Sequence, residues 1–475
     1  MSVDKILDAA TAAFRQKFHD LCDQLSISGD IGLSPRHMSR LTTVLLGAAA
    51  SAGQAGLKEY LAQHDRQVSS LPAGGKRFRF KNRMNKTFLT LFGEVTVKRC
   101  IYGTDQKGDR YLAPLDRALG LEPDDYATLE TRDVILYAAA HNTPQEVEWL
   151  MRKMGMCQPS RTAIQNIIAK DGAAIEQHRE TLREATLQKQ HLPTEATILV
   201  KSMDGTNVRL REPGAKKGRK AERPRDVATN DQPVSAFRNA TVGALSWYTT
   251  NDHMQAERLG STYLARMPQE NATTFKREFE ATSSRLLQSR EPDQALEKIF
   301  LADGARSIWK YVESTALYSD YHCLLDFYHA TEHLSKAAEA IHGKSTSIAN
   351  HYFSKYRQRL KTDPSAPVAI IRSLEGYAKR LKLSKARAEA LRAEITFFKN
   401  NKRFMKYAEF TAKGWPIGSG PVEAAGKTIV KQRMCRSGMR WSRDKGQHIL
   451  SLRAYVKSQT WDETWNAYVD LKMAG

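Results

Sequence analysis

The stretch Ala196-Thr-Ile-Leu-Val-Lys-Ser-Met-Asp204-Gly205-Thr206 decides how this chain is read. Apolar and β-branched residues fill most of its first eight positions, which is strand composition, and the run stops at an aspartate followed by glycine. A carboxylate at the exit of a buried strand is held rigidly at the sheet edge, and a glycine lets the backbone turn away at once. The arrangement recurs further on. Ile299–Ala302 is a short apolar run ending at Asp303-Gly304, and His322–Leu325 ends at Asp326. Residues 239–248 and 257–266 read as two more strands, and 270–288 as a helix. Strands alternating with helices predict an α/β core: a mixed five-stranded sheet with helices.

On either side of that core the pattern changes. Residues 3–27 repeat apolar positions at helical spacing, and a second helix starts at Ser34-Pro35, a hydroxyl cap followed by proline. Thr87-Phe-Leu-Thr-Leu-Phe-Gly-Glu-Val-Thr-Val97 reads as two strands joined near Gly93. Thr143-Pro144-Gln-Glu146 is a capping box that opens a helix, and Gly155 ends it. A second short helix follows from Ser160. The pair has the helix-turn-helix pattern, with Arg161, Thr162 and Gln165 on the possible reading face. From Asp326 to about Thr411 nearly everything is helical, with one break at Asp363-Pro-Ser-Ala-Pro. The chain then passes through Gly414-Trp-Pro-Ile-Gly-Ser-Gly-Pro and re-enters a helix at Glu423. The expected organisation is a helical region over 1–75, a β-hairpin and helix-turn-helix region over 76–185, the first part of the α/β domain over 190–334, an all-α insertion over 335–412, and the remainder of the α/β domain over 413–475.

With 475 residues, 41% of them hydrophobic, the chain can bury sizeable cores, and wholesale disorder is excluded. Its 73 Lys+Arg against 52 Asp+Glu give a net charge of +21, an excess that favours a polyanion such as nucleic acid. Five scattered cysteines form no C-x-x-C pair, so neither a disulfide framework nor a structural zinc site is expected. The longest apolar run, around Thr43 to Gly53, is far short of the ~20 residues a membrane helix needs. No signal peptide is recognisable, and a cytoplasmic location is expected. Arg209–Asp226 carries eight Lys/Arg against three acids, and Lys216, Lys217, Arg219 and Lys220 are its candidates for phosphate contact.

Asp-Gly is also a common turn dipeptide, so each pair taken singly is weak. The third member changes the reading. Glu423 follows Gly418-Ser-Gly-Pro and opens a helix, which puts its carboxylate in the first turn. Two strand-end aspartates and one helical glutamate, far apart in sequence, are what a two-metal phosphoryl-transfer site needs. Mg²⁺ takes hard oxygen ligands, and two ions about 4 Å apart activate the attacking oxygen and stabilise the leaving one. Asp204 is the expected bridge between two Mg²⁺ ions, with Mn²⁺ able to substitute.

At these residues the chain resembles the ISKra group of bacterial insertion-sequence transposases, within the larger class that has an RNase H-like catalytic core. The resemblance runs from about Thr87 to Arg453. It rests on Asp204-Gly-Thr, Asp303-Gly-Ala-Arg-Ser-Ile-Trp309, Leu325-Asp-Phe-Tyr-His-Ala-Thr-Glu-His-Leu334, and Gly418-Ser-Gly-Pro-Val-Glu423. The last block continues through Lys427, Arg433, Gly438-Met-Arg-Trp441 and Leu450-Ser-Leu-Arg453. By that resemblance Asp204, Asp303 and Glu423 match the catalytic DDE triad, and the helical stretch before the glutamate matches an insertion. The reaction implied is nicking at transposon ends, followed by attack of the freed 3′-hydroxyl on target DNA. The partners implied are double-stranded DNA and a second copy of the chain, in a homodimer or larger synaptic complex. Many relatives carry a cysteine pair after the first hairpin, where this chain reads Tyr102-Gly-Thr-Asp-Gln-Lys, which puts a zinc-assisted subdomain in doubt.

Asp326, His329 and His333 fall at i, i+3 and i+7, so they share one face from a helix start. They resemble the D-x-x-H element of related transposases, which implies support for the active site or the scissile phosphate, with a separate metal site and a plain capping role as the alternatives. Beyond Glu423, the residues Lys427, Lys431, Arg433, Arg436 and Arg440 are expected to hold DNA phosphates. Trp415 is balanced between stacking on a base and packing in the core. Two other readings use the same sequence: an RNase H-like nuclease that cuts without joining, and a non-enzymatic DNA-binding regulator.

Overall fold

Serine side chains start the first two helices of the computed structural model, which describes residues 2–27, 33–104, 106, 111–155, 157–211, 237–290 and 295–474. Ser2 accepts from Lys5 N at the head of α1 (Val3–Gln24), and Ser34 accepts from His37 N at the head of α2 (Pro35–His64). Contacts divide the chain into two units: residues up to Leu182 together with those from Trp461 onward, and Arg183–Thr460.

In the first unit β1 (Ser70–Ala73), β2 (Lys76–Thr90) and β3 (Gly93–Gly103) form an antiparallel sheet in that order. Gly93 makes the β2–β3 turn at φ +112°, a conformation that L side chains rarely adopt. The short α3 (Pro114–Ala118) and then α4 (Leu129–His141) lead to α5 (Pro144–Lys153), α6 (Arg161–Gln177) and α7 (Arg179–Lys189), the last of which crosses the unit boundary. The capping box forms as expected: Thr143 N donates to Glu146 Oε2 at 2.6 Å, and Glu146 N donates to Thr143 Oγ1 at 3.3 Å. Gly155 closes α5 at φ +68°. The helix after it is longer than its opening residues suggested, running 17 residues to Gln177. A buried cation explains why: Arg132 on α4 reaches Asp171 in α6 at 3.0 Å and Asp125 at 2.6 Å. Removing one partner of such a buried network strands the others, so it fixes the packing firmly. The chain's final helix joins this unit too, with Tyr468 Oη donating to Asp171 at 2.7 Å and Trp461 Nε1 to Asp133 at 2.6 Å.

The second unit is built on the expected mixed five-stranded sheet, in a chain of mixed α+β type. Its strands are β4 (Ile198–Arg209), β5 (Phe237–Thr250), β6 (Ala256–Arg266), β7 (Glu297–Ala302) and β8 (His322–Leu325). The order across the sheet is β6-β5-β4-β7-β8. β4 pairs antiparallel with β5 and β5 with β6, whereas β7 lies parallel to β4 and β8 parallel to β7. The crossovers are helical, α8 (Thr273–Gln288) before β7 and α9 (Arg306–Ser314) before β8. Phe275 and Phe279 of α8 bury fully against the sheet, within contact distance of Gly243 of β5, where a Cβ would lie 2.7 Å from Phe275 Cζ.

After β8 come α10 (Phe327–His342), α11 (Ser347–Thr362), α12 (Ala366–Arg380), α13 (Lys385–Asn401) and α14 (Tyr407–Ala412). The break between α11 and α12 falls at Asp363-Pro-Ser, where proline removes a backbone donor and bars helix continuation. Residues of 335–412 do not pack as a separate body. Leu374, Phe398 and Tyr407 belong to one continuous buried cluster with Leu199's neighbours Ile198 and Val200 and with Phe300. Trp415 belongs to it as well, packed on His322 and Phe410 at ring distances of 4.8 and 5.1 Å, so its role is in the core. The chain then runs through α15 (Gly420–Ala425), a π turn over Gly426–Lys431, the short α16 (Gln432–Met434) and α17 (Arg443–Lys457), ending with α18 (Trp461–Ala474).

Lys201, in the middle of β4, is fully buried. Its Nζ donates to Tyr318 Oη at 3.0 Å and lies 4.6 Å and 4.5 Å from the ring centroids of Phe279 and Tyr318. Burial pushes its amine down to about 7, an effect the Glu280 carboxylate partly offsets.

Candidate active site

Alternation along β4 sends Lys201 and Met203 to one face of the sheet and Ser202, Asp204 and Thr206 to the other. Asp204 corrects the expectation of a strand end. It lies within β4, paired with Val242 of β5, and the strand continues to Arg209. The reason is the antiparallel partner: β5 accompanies β4 to Arg209↔Phe237, whereas the parallel ladder to β7 ends at Lys201↔Phe300. Asp204-Gly205 therefore makes no turn, and the first aspartate stands where β4 outruns its parallel neighbour.

Register arithmetic then gathers the acids. Carried three residues beyond Lys201↔Phe300, it sets Asp204 level with Asp303; carried one beyond Ala302↔Leu325, it sets Asp303 level with Asp326. Asp303 follows β7 directly, and its Oδ1 accepts from Ala305 N at 3.0 Å, which fixes the turn into α9. Asp204 Oδ1 accepts from Gly205 N at 2.6 Å. Burial raises the Asp204 carboxyl above its ordinary value, and the charges of Asp303 and Glu423 push the same way, against the Gly205 N–H and the Lys431 ammonium. Two carboxylates, Asp303 and Glu423, and the Lys431 ammonium are thus the charges that act on Asp204.

Glu423 reaches this place through Asp326. That carboxylate is 1% exposed, and it makes two backbone contacts. Its Oδ1 accepts from His329 N at 2.6 Å as the N-cap of α10, and its Oδ2 accepts from Ser419 N at 2.5 Å. Phe327 N also donates to Ile417 O at 3.0 Å. The start of α10 therefore pins the Ile417–Ser419 loop, and α15 begins immediately after it. The capping role expected of Asp326 as an alternative is present, together with a second contact that the sequence did not announce.

Glycine then lets the turn that follows α15 lie close on the sheet. A Cβ built on Gly426 would fall 2.8 Å from Thr206 Oγ1 and 3.8 Å from Asp204 Oδ2. The backbone widens into its π turn here, and such turns leave carbonyls to be satisfied by other groups. Buried Arg453 takes that role, donating through Nε to Ile429 O at 2.6 Å and through Nη2 to Thr428 O. Desolvation, with Arg433 and Arg436 adding to it, brings the Arg453 guanidinium down to about 10.

The basic residues beyond Glu423 separate into two kinds. Lys427, Lys431, Arg436 and Arg440 are exposed. Arg433 is 2% exposed, its guanidinium 5.3 Å from the Trp441 ring. Packing on Trp441 takes it off the accessible basic face, which corrects its expected place among the phosphate contacts. In the first unit Arg161, Thr162 and Gln165 are all exposed in the opening turns of α6. Lys216, Lys217, Arg219 and Lys220 lie outside the described residues.

His329 and His333 share a face of α10 with ring centroids 4.9 Å apart. His333 stacks on Phe397 of α13 at 3.5 Å, and its Nδ1 lies 2.6 Å from Glu394 Oε2. Nothing in the sequence connected residues 333 and 394, because their meeting depends on how α10 and α13 pack.

Among the described residues, no three His, Cys, Asp or Glu side chains are already gathered to hold a metal ion. The donor set around Asp204 is nonetheless all carboxylate oxygen, the chemistry a hard divalent cation requires. The charges that raise the Asp204 carboxyl are also ones a cation bound there would offset. Among the described residues no helix is long and apolar enough to cross a membrane.

Residues 38–217 match a family described as an uncharacterised protein family, UPF0236, a match that extends through Asp204 and stops short of Asp303 and Glu423. No curated protein matches the chain. Among solved structures, the Drosophila P element transposase strand transfer complex is similar at 10% identity, over 71% of this chain and 80% of that chain, with a TM-score of 0.26.

Proposed function

We propose that the chain is a DDE transposase with an RNase H-like core, of the kind its sequence blocks resemble in the ISKra group. It nicks DNA at transposon ends and joins the freed 3′-hydroxyl to target DNA. One observation carries the reading. The parallel register of β4 and β7, carried past its last pair, brings Asp303 level with Asp204, and the charge of Glu423, 219 positions after Asp204, acts on the same carboxylate. Distant acids that converge in a basic chain are otherwise a poor arrangement, because like charges together resist ionisation.

Asp204, Asp303 and Glu423 would hold Mg²⁺ or Mn²⁺, with Asp204 between the other two. When bound, a pair of such ions activates the attacking oxygen and stabilises the leaving one. The chain's own residues do the rest. Asp326 fixes the loop that sets Glu423, and Gly426 lets the turn that follows α15 approach β4. Lys427, Lys431, Arg436 and Arg440 are free of burial to hold phosphates. Exposed Arg161, Thr162 and Gln165, at the start of what would be the second helix of a helix-turn-helix, would read bases. Double-stranded DNA is the partner, and joining two ends calls for a dimer or larger assembly.

The test is cleavage and joining of DNA carrying the ends that flank the gene, in Mg²⁺ or Mn²⁺, by the wild type and by Glu423→Gln. Wild type should nick and join while the variant only binds. A nuclease would cut without joining, and a regulator would bind without cutting in either form. Equal cutting by both proteins removes Glu423 from the site.

A further inference from the structure

The helices of 335–412 bring a second group of side chains to the edge of this site. Phe397 of α13 supports the turn after β7: a Cβ built on Gly304, next to Asp303, would fall 2.7 Å from Phe397 Cε2. One turn earlier on α13, Glu394 is 8% exposed and contacts His333 Nδ1 at 2.6 Å. The His333 ring lies flat on Phe397, at 3.5 Å and 11°, and the His329 ring meets both, 4.9 Å from His333 and 5.7 Å from Phe397. His329 in turn begins α10, where its N–H is held by Asp326. A carboxylate on one ring nitrogen fixes the proton there and the ring's orientation, leaving the other nitrogen with a defined role.

We propose that Glu394 is a positioning residue of the active site: it orients His333 on Phe397, and through that stack it sets His329 beside the Asp303 turn. The segment between the second aspartate and the glutamate thus builds part of the catalytic centre as well as separating its ligands. His329 so placed presents an imidazole to a DNA phosphate held near Asp303. The inference rests on the strand-transfer reading above and deepens it.

The experiment uses the full chain and duplex DNA carrying the gene's flanking ends, with Mg²⁺. Glu394→Ala, Glu394→Gln, His333→Ala and the Glu394→Ala/His333→Ala pair are compared, with Asp303→Asn as the control. Glu394→Ala should bind DNA within about twofold of wild type yet nick at least tenfold more slowly, the loss falling on kcat rather than KM. Glu394→Gln, which keeps an acceptor for Nδ1–H, should recover part of the rate. The double variant should be no slower than His333→Ala alone, because the glutamate acts through that ring. Losses that multiply, or nicking by Glu394→Ala at the wild-type rate, overturn the inference. Should Glu394→Ala fail to fold, Glu394→Met, which fills the space but offers no acceptor, decides through ¹⁵N imidazole spectra: a His333 tautomer unchanged from wild type overturns it. Nicking abolished by Asp303→Asn but intact in the Glu394 variants sinks this inference alone. A wild type that does not nick sinks the function reading and this with it.

Discussion

Asp326→Ala tests how the site is assembled, since it removes one side chain and strands two backbone donors. The carboxylate is buried and accepts from His329 N at 2.6 Å and from Ser419 N at 2.5 Å. Losing an N-cap costs about 1 kcal/mol, and a buried donor left without its partner costs about 1–3 kcal/mol. The sum, about 2–4 kcal/mol, is large but survivable in a unit with so extensive a core. The functional loss should exceed it, because the Ser419 contact is what sets the loop before Glu423. Asp326→Asn separates the two parts. Its amide oxygen can still cap α10, while its NH₂ would face the Ser419 N–H, so the cap survives and the loop contact does not. Urea unfolding gives the stability term, and single-turnover nicking of the end-bearing DNA gives the functional one. Both variants should bind DNA and nick at least tenfold more slowly than wild type, the alanine form with the lower unfolding midpoint. An Asp326→Ala protein that nicks at the wild-type rate, or unfolds within about 0.5 kcal/mol of wild type, would refute the argument.

Three further outcomes follow from the same geometry. Gly426→Ala puts a Cβ 2.8 Å from Thr206 Oγ1, a group 3% exposed with little room to move; about 1–3 kcal/mol of strain and slower nicking are expected, both relieved by adding Thr206→Ala, as melting and cleavage assays would show. Lys201→Met removes a buried amine held at about 7 against an ordinary value near 10.5. Across that window the unfolded chain binds the extra proton, so wild-type stability should rise from pH 7 to pH 9, and chemical unfolding should show the variant's slope lower by up to about 1.4 kcal/mol per pH unit. Replacing Lys427, Lys431 and Arg436 together with alanine should weaken DNA binding and flatten its dependence on log salt by up to about 2–3; an unchanged slope in a salt titration would take these residues off the DNA path.

The limits of the sequence are set by pairing. β4, β7 and β8 were legible because buried strands keep a dense apolar and β-branched composition whatever their neighbours are. The capping box at Thr143 was legible because both of its bonds join residues three apart. Asp204 was nominated with the wrong local geometry. Asp-Gly suggests a turn on its own, and only the presence of β5 alongside converts it into continuous strand. Arg433 shows the same dependence from the other side. Its charge promised an exposed face, and a tryptophan eight residues later in the chain buried it. The contacts that matter most for the site, Asp326 with Ser419 and Glu394 with His333, join residues 93 and 61 positions apart and leave no periodic trace. What a sequence can nominate is therefore the set of acids, since residue type is a local fact. Which residues hold those acids in place is a property of the packed helices, and it is there that substitutions remote from the three acids should change the proposed chemistry without changing the fold.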